Sequence, residues 1–119
     1  MKALFQTTLK SMTRAIGKKK NKTRVPNDLD EFNANIYRQV SQFTMTSPER
    51  INALVDAVQY VCHKGIEGAF VECGVWKGGS AMAAALTFTE LNDCREIYLY
   101  DTFEGMSAPT EIDVSIQGS

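Results

Sequence analysis

Two acidic side chains, Glu72 and Asp101, each close a short apolar run, and a glycine-rich turn follows the first. Phe70 and Val71 are strand-like, and Glu72 stands at the strand's end. Gly74, Gly78 and Gly79 then form a turn whose backbone can approach a ligand with no Cβ in the way. Ser80 opens an alanine-rich run that reads as a helix. In open parallel sheets a strand–turn–helix of this kind lies at the carboxyl ends of the strands, where ligands bind. The first N–H groups of such a helix lack intrahelical acceptors and favour an anion at the same spot.

The spacing narrows the ligand. A dinucleotide fingerprint needs G-x-G-x-x-G, and the turn Glu72-x-Gly74-x-x-x-Gly78-Gly79 lacks its second glycine. A phosphate loop ends in Gly-Lys-Ser/Thr, whereas Lys77 precedes the glycine pair here. An acid at the strand end also repels a polyphosphate. A ligand with a cationic part and one carboxylate fits better, and S-adenosylmethionine carries an ammonium, a sulfonium and a carboxylate. The second run, Glu96 to Asp101, ends 27 residues beyond Gly74, which leaves room for the helix of a parallel crossover. A strand-end acid in that position commonly accepts both ribose hydroxyls.

These residues need helices to hold them. After Val25-Pro26-Asn27-Asp28, a turn signal, Asn27 or Asp28 is expected to cap a helix running to about Val40, with Phe32, Ile36 and Val40 on one face. Thr44-Met45-Thr46-Ser47 breaks it. Ser47, Pro48 and Glu49 then suit an N-cap, a first turn and a positive helix end. Ile51, Leu54, Val55, Val58, Val61 and Cys62 follow as one apolar stripe, with Gly65 as the stop. That helix is expected to cover one sheet face beside the first strand. A further helix is expected over about Ser80 to Leu91, with Asn92-Asp93 as the turn into the second strand.

A chain of 119 residues with 44% apolar and 23% charged residues fits one small globular domain. No run approaches the length of a membrane helix, and a secretory signal is not indicated, so a cytoplasmic protein is expected. Cys62, Cys73 and Cys94 form no C-x-x-C pair, and reduced, part-buried thiols are expected. The net charge of −1 hides an asymmetry: residues 1–27 hold eight Lys/Arg and no Asp/Glu, residues 28–119 five and fourteen. Leu4, Phe5, Leu9, Met12 and Ile16 give the basic arm one apolar helical face. The expectation is packing on the domain or a partner subunit followed by a solvated linker. No aromatics interleave with the lysines, so nucleic acid is not expected. His63, the single histidine, reads as structural, and Glu104, Glu111 and Asp113 as a solvated acidic loop without a metal.

Phe70 to Ser80, followed by Tyr100-Asp101-Thr102-Phe103-Glu104-Gly105, resembles the macrocin O-methyltransferase family, class I enzymes that use S-adenosylmethionine. The resemblance runs from about Thr44 to Asp113. It implies a Rossmann-like α/β methyltransferase sheet, of which this chain would supply the first two parallel strands behind an amino-terminal helical extension. It implies a cofactor pocket in which Glu72, Cys73, Gly74, Val75 and Trp76 line the methionine end and Gly78 and Ser80 belong to the turn. Asp101 would hold the ribose, with Thr102, Phe103, Glu104 and Gly105 as the wall beside it, and Thr44 and Met45 would stand near the cofactor. Cys73 departs from the small polar residue common there.

The function expected is methylation of a hydroxyl on a sugar or small natural product, with a small-molecule acceptor as partner and a homo-oligomer left open. Some members need magnesium, so magnesium is an expectation for the full-length enzyme, with ligands downstream. No catalytic base can be assigned. Residues 1–27 are expected to form a basic arm and 28–119 the amino-terminal part of a cofactor domain, inactive alone. The alternative is a non-catalytic α/β nucleotide-binding or interaction module recruited through the arm.

Overall fold

The computed structural model describes residues 25–113. The basic arm, apart from its last residues, therefore lies outside the described residues. The element order is α1 (Glu31–Val40), a 3-10 turn (Ser41–Phe43), α2 (Pro48–His63), β1 (Phe70–Cys73), α3 (Gly79–Glu90) and β2 (Ile97–Tyr100). The two strands pair in parallel with Phe70 opposite Ile97 and Cys73 opposite Tyr100. Among the described residues this is an α/β arrangement with three helices and a two-stranded sheet, joined by the expected crossover helix.

Helix α1 starts two residues later than Asp28 would place it. The N-cap is Asp30, whose side chain accepts from the Asn33 N–H at 2.9 Å. A carboxylate three residues ahead of a free N–H satisfies it directly, and Asn27 and Asp28 stay in the preceding turn. Helix α2 begins where the Ser-Pro-Glu signal puts it. Ser47 occupies the N-cap position, but its side chain bonds the Glu49 carboxylate instead of a helix N–H. Its end is a Schellman arrangement: Gly65, at φ 61°, donates to the Cys62 carbonyl and Ile66 to the Val61 carbonyl. Helix α3 ends the same way with asparagine in the left-handed position. Asn92, at φ 56°, donates to the Thr89 carbonyl and Asp93 to the Phe88 carbonyl.

The core lies mainly between helices. Ile36, Tyr37 and Val40 of α1 meet Ile51 and Val55 of α2 and Ala83 and Leu86 of α3. Alanines 81, 83, 84 and 85 are buried, so α3 can lie close against its neighbours. A second cluster, Val58, Ala84 and Phe88, takes in Phe70 and Ile97 from the strands. The Phe70 and Phe88 rings meet edge to face with centroids 6.2 Å apart. The expectation that α2 covers a sheet face is thus met only at this cluster; α2 packs chiefly on α3 and α1. The physical reason is the shortness of the strands, four residues each, which offer too little face for a 16-residue helix.

One polar knot holds α1 to α2. The Asn33 side chain, 1% exposed, donates to Asn52 and Asp56, each at 2.6 Å, and accepts from Gln59 at 3.2 Å. Buried amides persist only when their hydrogen-bonding capacity is met. The opposite face of the sheet is different. Val71 and Tyr98, opposite each other, and Tyr100, opposite Cys73, are exposed by 55%, 45% and 59%.

Candidate functional site

Glu72, the third residue of β1, has a strand's alternation to thank for its direction: it shares the half-buried face with Phe70, toward α3. One carboxylate oxygen accepts from the Ala81 N–H, in the first turn of α3. The other, Oε2, is buried and has no hydrogen-bond partner. Burial pushes this carboxyl above its ordinary range, and the Ala81 N–H offsets part of that. A buried acceptor left unpaired carries a desolvation cost that a ligand donor would relieve.

The turn after β1 is held in left-handed backbone. Gly74, Trp76 and Gly78 lie at φ 81°, 50° and 78°. The Gly74 N–H extends the parallel ladder to the Tyr100 carbonyl at 2.8 Å, and Gly78 donates to the Val75 carbonyl at 2.8 Å. Gly78 then serves as N-cap of α3. A Cβ on Gly74 would meet nothing within 4 Å, so the turn is open on that side. Helix geometry leaves the Gly79 and Ser80 N–H groups without intrahelical acceptors beside Glu72. Val75 is buried, whereas Trp76 is half exposed with the Lys77 ammonium 4.7 Å from its ring centroid.

Asp101 directly follows β2 and reaches across to this turn. Its Oδ2 accepts from the N–H groups of Val75 at 2.5 Å and Trp76 at 3.2 Å. Its Oδ1 accepts from the Phe103 N–H at 3.0 Å and the Thr102 hydroxyl at 3.4 Å. These donors, Phe103 first and then Val75 and Trp76, hold its carboxyl down at about 2. Glu104 donates its N–H to the Thr102 hydroxyl at 3.4 Å, and Phe103 and Gly105 stand in left-handed backbone at φ 57° and 84°. Thr102 to Gly105 are exposed.

The structure also brings Thr44 to the turn, 35 residues away in the chain. An added Cβ on Gly79 would lie 2.6 Å from both the Phe43 carbonyl oxygen and Thr44 Cβ. Thr44 accepts the Thr46 N–H at 2.9 Å, which shapes the link from the 3-10 turn to α2. Met45 follows with its side chain in solvent, 79% exposed. The sequence places Gly79 in the glycine turn, but not its packing against Phe43 and Thr44. Its signal was the paired glycine at the first helical position, where only close packing excludes a side chain.

The other expected features fall elsewhere. Cys73 and Cys94 are exposed instead of part-buried, because each follows the outward side of its strand or turn. Cys62 is half-buried; burial first, and then the hydrogen bond from its thiol to the Asp93 carboxylate, raises it. Asp93 also pairs with Arg95 at 3.1 Å. His63 is exposed at the end of α2. Asp113 caps a turn by accepting the Thr110 N–H at 2.6 Å. A hollow of about 390 Å³ lined by Asp28, Asp30, Asn33, Glu49 and Asp56 contains no residue of the glycine turn. Among the described residues, no three His, Cys, Asp or Glu converge as a metal site would require.

The profile of the Macrocin-O-methyltransferase (TylF) family matches residues 2–117. Over 64 residues the chain is 36% identical to 8-demethyl-8-(2,3-dimethoxy-alpha-L-rhamnosyl)-tetracenomycin-C 4'-O-methyltransferase of Streptomyces olivaceus, covering 53% of this chain and 24% of that protein. Over 72 residues it is 32% identical to Mycinamicin III 3''-O-methyltransferase of Micromonospora griseorubida, covering 59% of this chain and 28% of that protein. The matches thus span about a quarter of the length of these relatives. No solved structure matches the chain. A match over nearly the whole chain places it in the macrocin O-methyltransferase family.

Proposed function

We propose that this chain carries the cofactor-binding part of an S-adenosylmethionine-dependent O-methyltransferase whose acceptor is a hydroxyl on a sugar or small natural product. The observation that carries the reading is Glu72: a buried carboxylate with one unpaired oxygen, beside an open glycine turn and the start of α3. The donor set fits the ligand. Glu72 suits an ammonium, and the Gly79 and Ser80 N–H groups suit a carboxylate. Trp76 and Cys73 border the same turn, Thr44 stands behind it at Gly79, and Met45 follows Thr44 in the chain. Thr102 to Gly105 form the neighbouring wall, across from the turn that Asp101 joins to them. The acceptor class is suggested by the relatives, whose names specify O-methylation, in one case with a rhamnosyl group in the acceptor.

When bound, S-adenosylmethionine would supply a methyl group on a sulfonium: the acceptor hydroxyl oxygen would form the new C–O bond as the C–S bond breaks, the neutral thioether leaving and the hydroxyl proton passing to a base or water. The chain's residues contribute position. Glu72 and the α3 N-terminus would hold the two charged ends of the amino acid portion, and the left-handed turn would bring backbone near it without side-chain obstruction. No described residue is assigned as the base. The exposed face of Val71, Tyr98 and Tyr100 supports a larger parallel sheet with a second layer over that side, the doubly wound arrangement of the fold. The domain would then begin near residue 28.

The test is a calorimetric titration of S-adenosylhomocysteine into the longest form of the protein its gene encodes, with Glu72→Gln beside it. Binding that falls about tenfold or more in the variant is expected, since a charged hydrogen bond is lost. A folded protein that does not bind would overturn the reading.

A further inference from the structure

We propose that the cofactor's ammonium exchanges for a proton at Glu72: at mildly acid pH Oε2 carries the proton in the ligand-free protein, the ammonium displaces it, and the proton passes to water. The inference rests on the proposed cofactor site and assigns the chemistry by which that site takes its ligand.

One oxygen decides the exchange. Glu72 as a whole is half-buried, yet Oε2 is closed to solvent and has no hydrogen-bond partner among the described residues. An ionised oxygen in that position has neither water nor a donor to hold its charge, and a carboxyl so placed keeps its proton to higher pH. The surroundings supply one donor and no charge. From α3 comes the Ala81 N–H; the first turn of that helix, Gly79 to Met82, holds no acidic or basic side chain. From β2, Leu99 stands opposite. In the turn, the Lys77 ammonium lies over the Trp76 ring, and the Asp101 carboxylate accepts from the Val75 and Trp76 N–H groups. Burial outweighs the Ala81 N–H, so the carboxyl titrates above its ordinary range, with no neighbouring charge contributing.

The protons balance. The ligand's amino group arrives as an ammonium with three N–H donors. One of them makes the N–H···Oε2 bond, the Oε2–H bond breaks, and that proton goes to solvent. The resulting pair of carboxylate and ammonium is neutral as a whole, so the buried oxygen takes up its charge with the counter-charge beside it. A ligand with a hydrogen or a hydroxyl in place of the ammonium has nothing to draw the proton off. The site thus selects a cationic amine through the protonation of one carboxyl.

Calorimetric titration of S-adenosylhomocysteine into the longest form of the protein its gene encodes reads the exchange directly. At each pH the titration is repeated in buffers of different ionisation enthalpy, and the slope of observed against buffer enthalpy counts the protons released. Release should reach about half a proton or more per ligand at pH 5 and decline toward pH 7, and affinity should rise about threefold to tenfold per pH unit where release is largest. Glu72→Gln, which has no proton to give, should bind more weakly, release none and lose the pH dependence. Binding by the unsubstituted protein with no release between pH 5 and pH 7 overturns the exchange and leaves the cofactor reading standing; absence of binding by the folded protein overturns both. Should Glu72→Gln not fold, carbon NMR of the glutamate carboxyl groups in the unsubstituted protein decides. The Glu72 signal should titrate above those of the exposed glutamates in the free protein and move down in pH when S-adenosylhomocysteine saturates the site. A Glu72 carboxyl that titrates with the exposed glutamates in the free protein, or that does not move with ligand, overturns the proposal.

Discussion

Gly79 and Phe43 approach so closely that a Cβ on the glycine would lie 2.6 Å from the Phe43 carbonyl oxygen. Contacts under 3.0 Å with backbone cannot be relieved by rotating a side chain, so one element must move. The contact joins the 3-10 turn ahead of α2 to the start of α3, and it brings Thr44 to the glycine turn. Gly79→Ala is therefore expected to destabilise the chain by about 1–3 kcal/mol, the range for overpacking. Urea denaturation checks it. Gly74→Ala is the comparison, because its Cβ would meet open space and only its positive φ is strained; about 1–2 kcal/mol is expected there.

Glu72 sets stability against binding. Its carboxyl is raised, so in the ligand-free chain its contribution to stability is fully present below the unfolded pKa and is lost as pH rises through the folded one. At neutral pH the ionised side chain thus works against the fold. Glu72→Gln should raise the melting temperature at pH 7 by a few degrees, on the order of 1 kcal/mol or less, and the gain should shrink toward pH 4. The same variant should bind S-adenosylhomocysteine more weakly. Scanning calorimetry at the two pH values, with and without ligand, tests both signs.

Asn33 is the polar centre of the α1–α2 contact. Asn33→Ala leaves Asn52, Asp56 and Gln59 without the partner they share. A loss of about 1–3 kcal/mol is expected, the cost of stranding buried polar groups. Asn33→Asp should be worse than Ala near neutral pH, since it places a second carboxylate against Asp56. Chemical denaturation at pH 7 and at pH 4 reads the difference, which should narrow at the lower pH.

The thiols should separate by reactivity. Cys62 is half-buried, bonded to Asp93 and raised, whereas Cys73 is exposed. Since the thiolate is the nucleophile, iodoacetamide at pH 8 should modify Cys73 well before Cys62 in the folded chain. Mass spectrometry of the digested protein gives the order, and equal rates would show that the α2–α3 junction opens readily.

Gly65 tests the helix stop apart from the site. At φ 61° it closes the Schellman turn, and a Cβ there would touch nothing. Gly65→Ala should cost about 1–2 kcal/mol from backbone strain alone and leave ligand affinity unchanged once the protein is folded. Thermal unfolding and calorimetric titration together check it.

The sequence by itself determined the local elements and their order. The apolar stripe from Ile51 to Cys62, the Ser-Pro-Glu start and the glycine stop are short-range signals, and α2 follows them almost residue for residue. The strand–turn–helix at Phe70 to Ser80 was legible for the same reason, since alternation and glycine positions act within a few residues. Tertiary structure decided which polar groups find partners. Asp101 reads as a strand-end acid, but only the fold sets the Val75, Trp76 and Phe103 N–H groups around it. Glu72 reads as a strand-end acid beside the glycine turn, but only packing against α3 buries one of its oxygens unpaired. Asn33 looks like a surface residue until α2 brings three partners to it from 19 to 26 residues away. Propensity and periodicity are properties of neighbours along the chain, whereas the satisfaction of a polar group depends on what the folded chain places within about 3 Å of it.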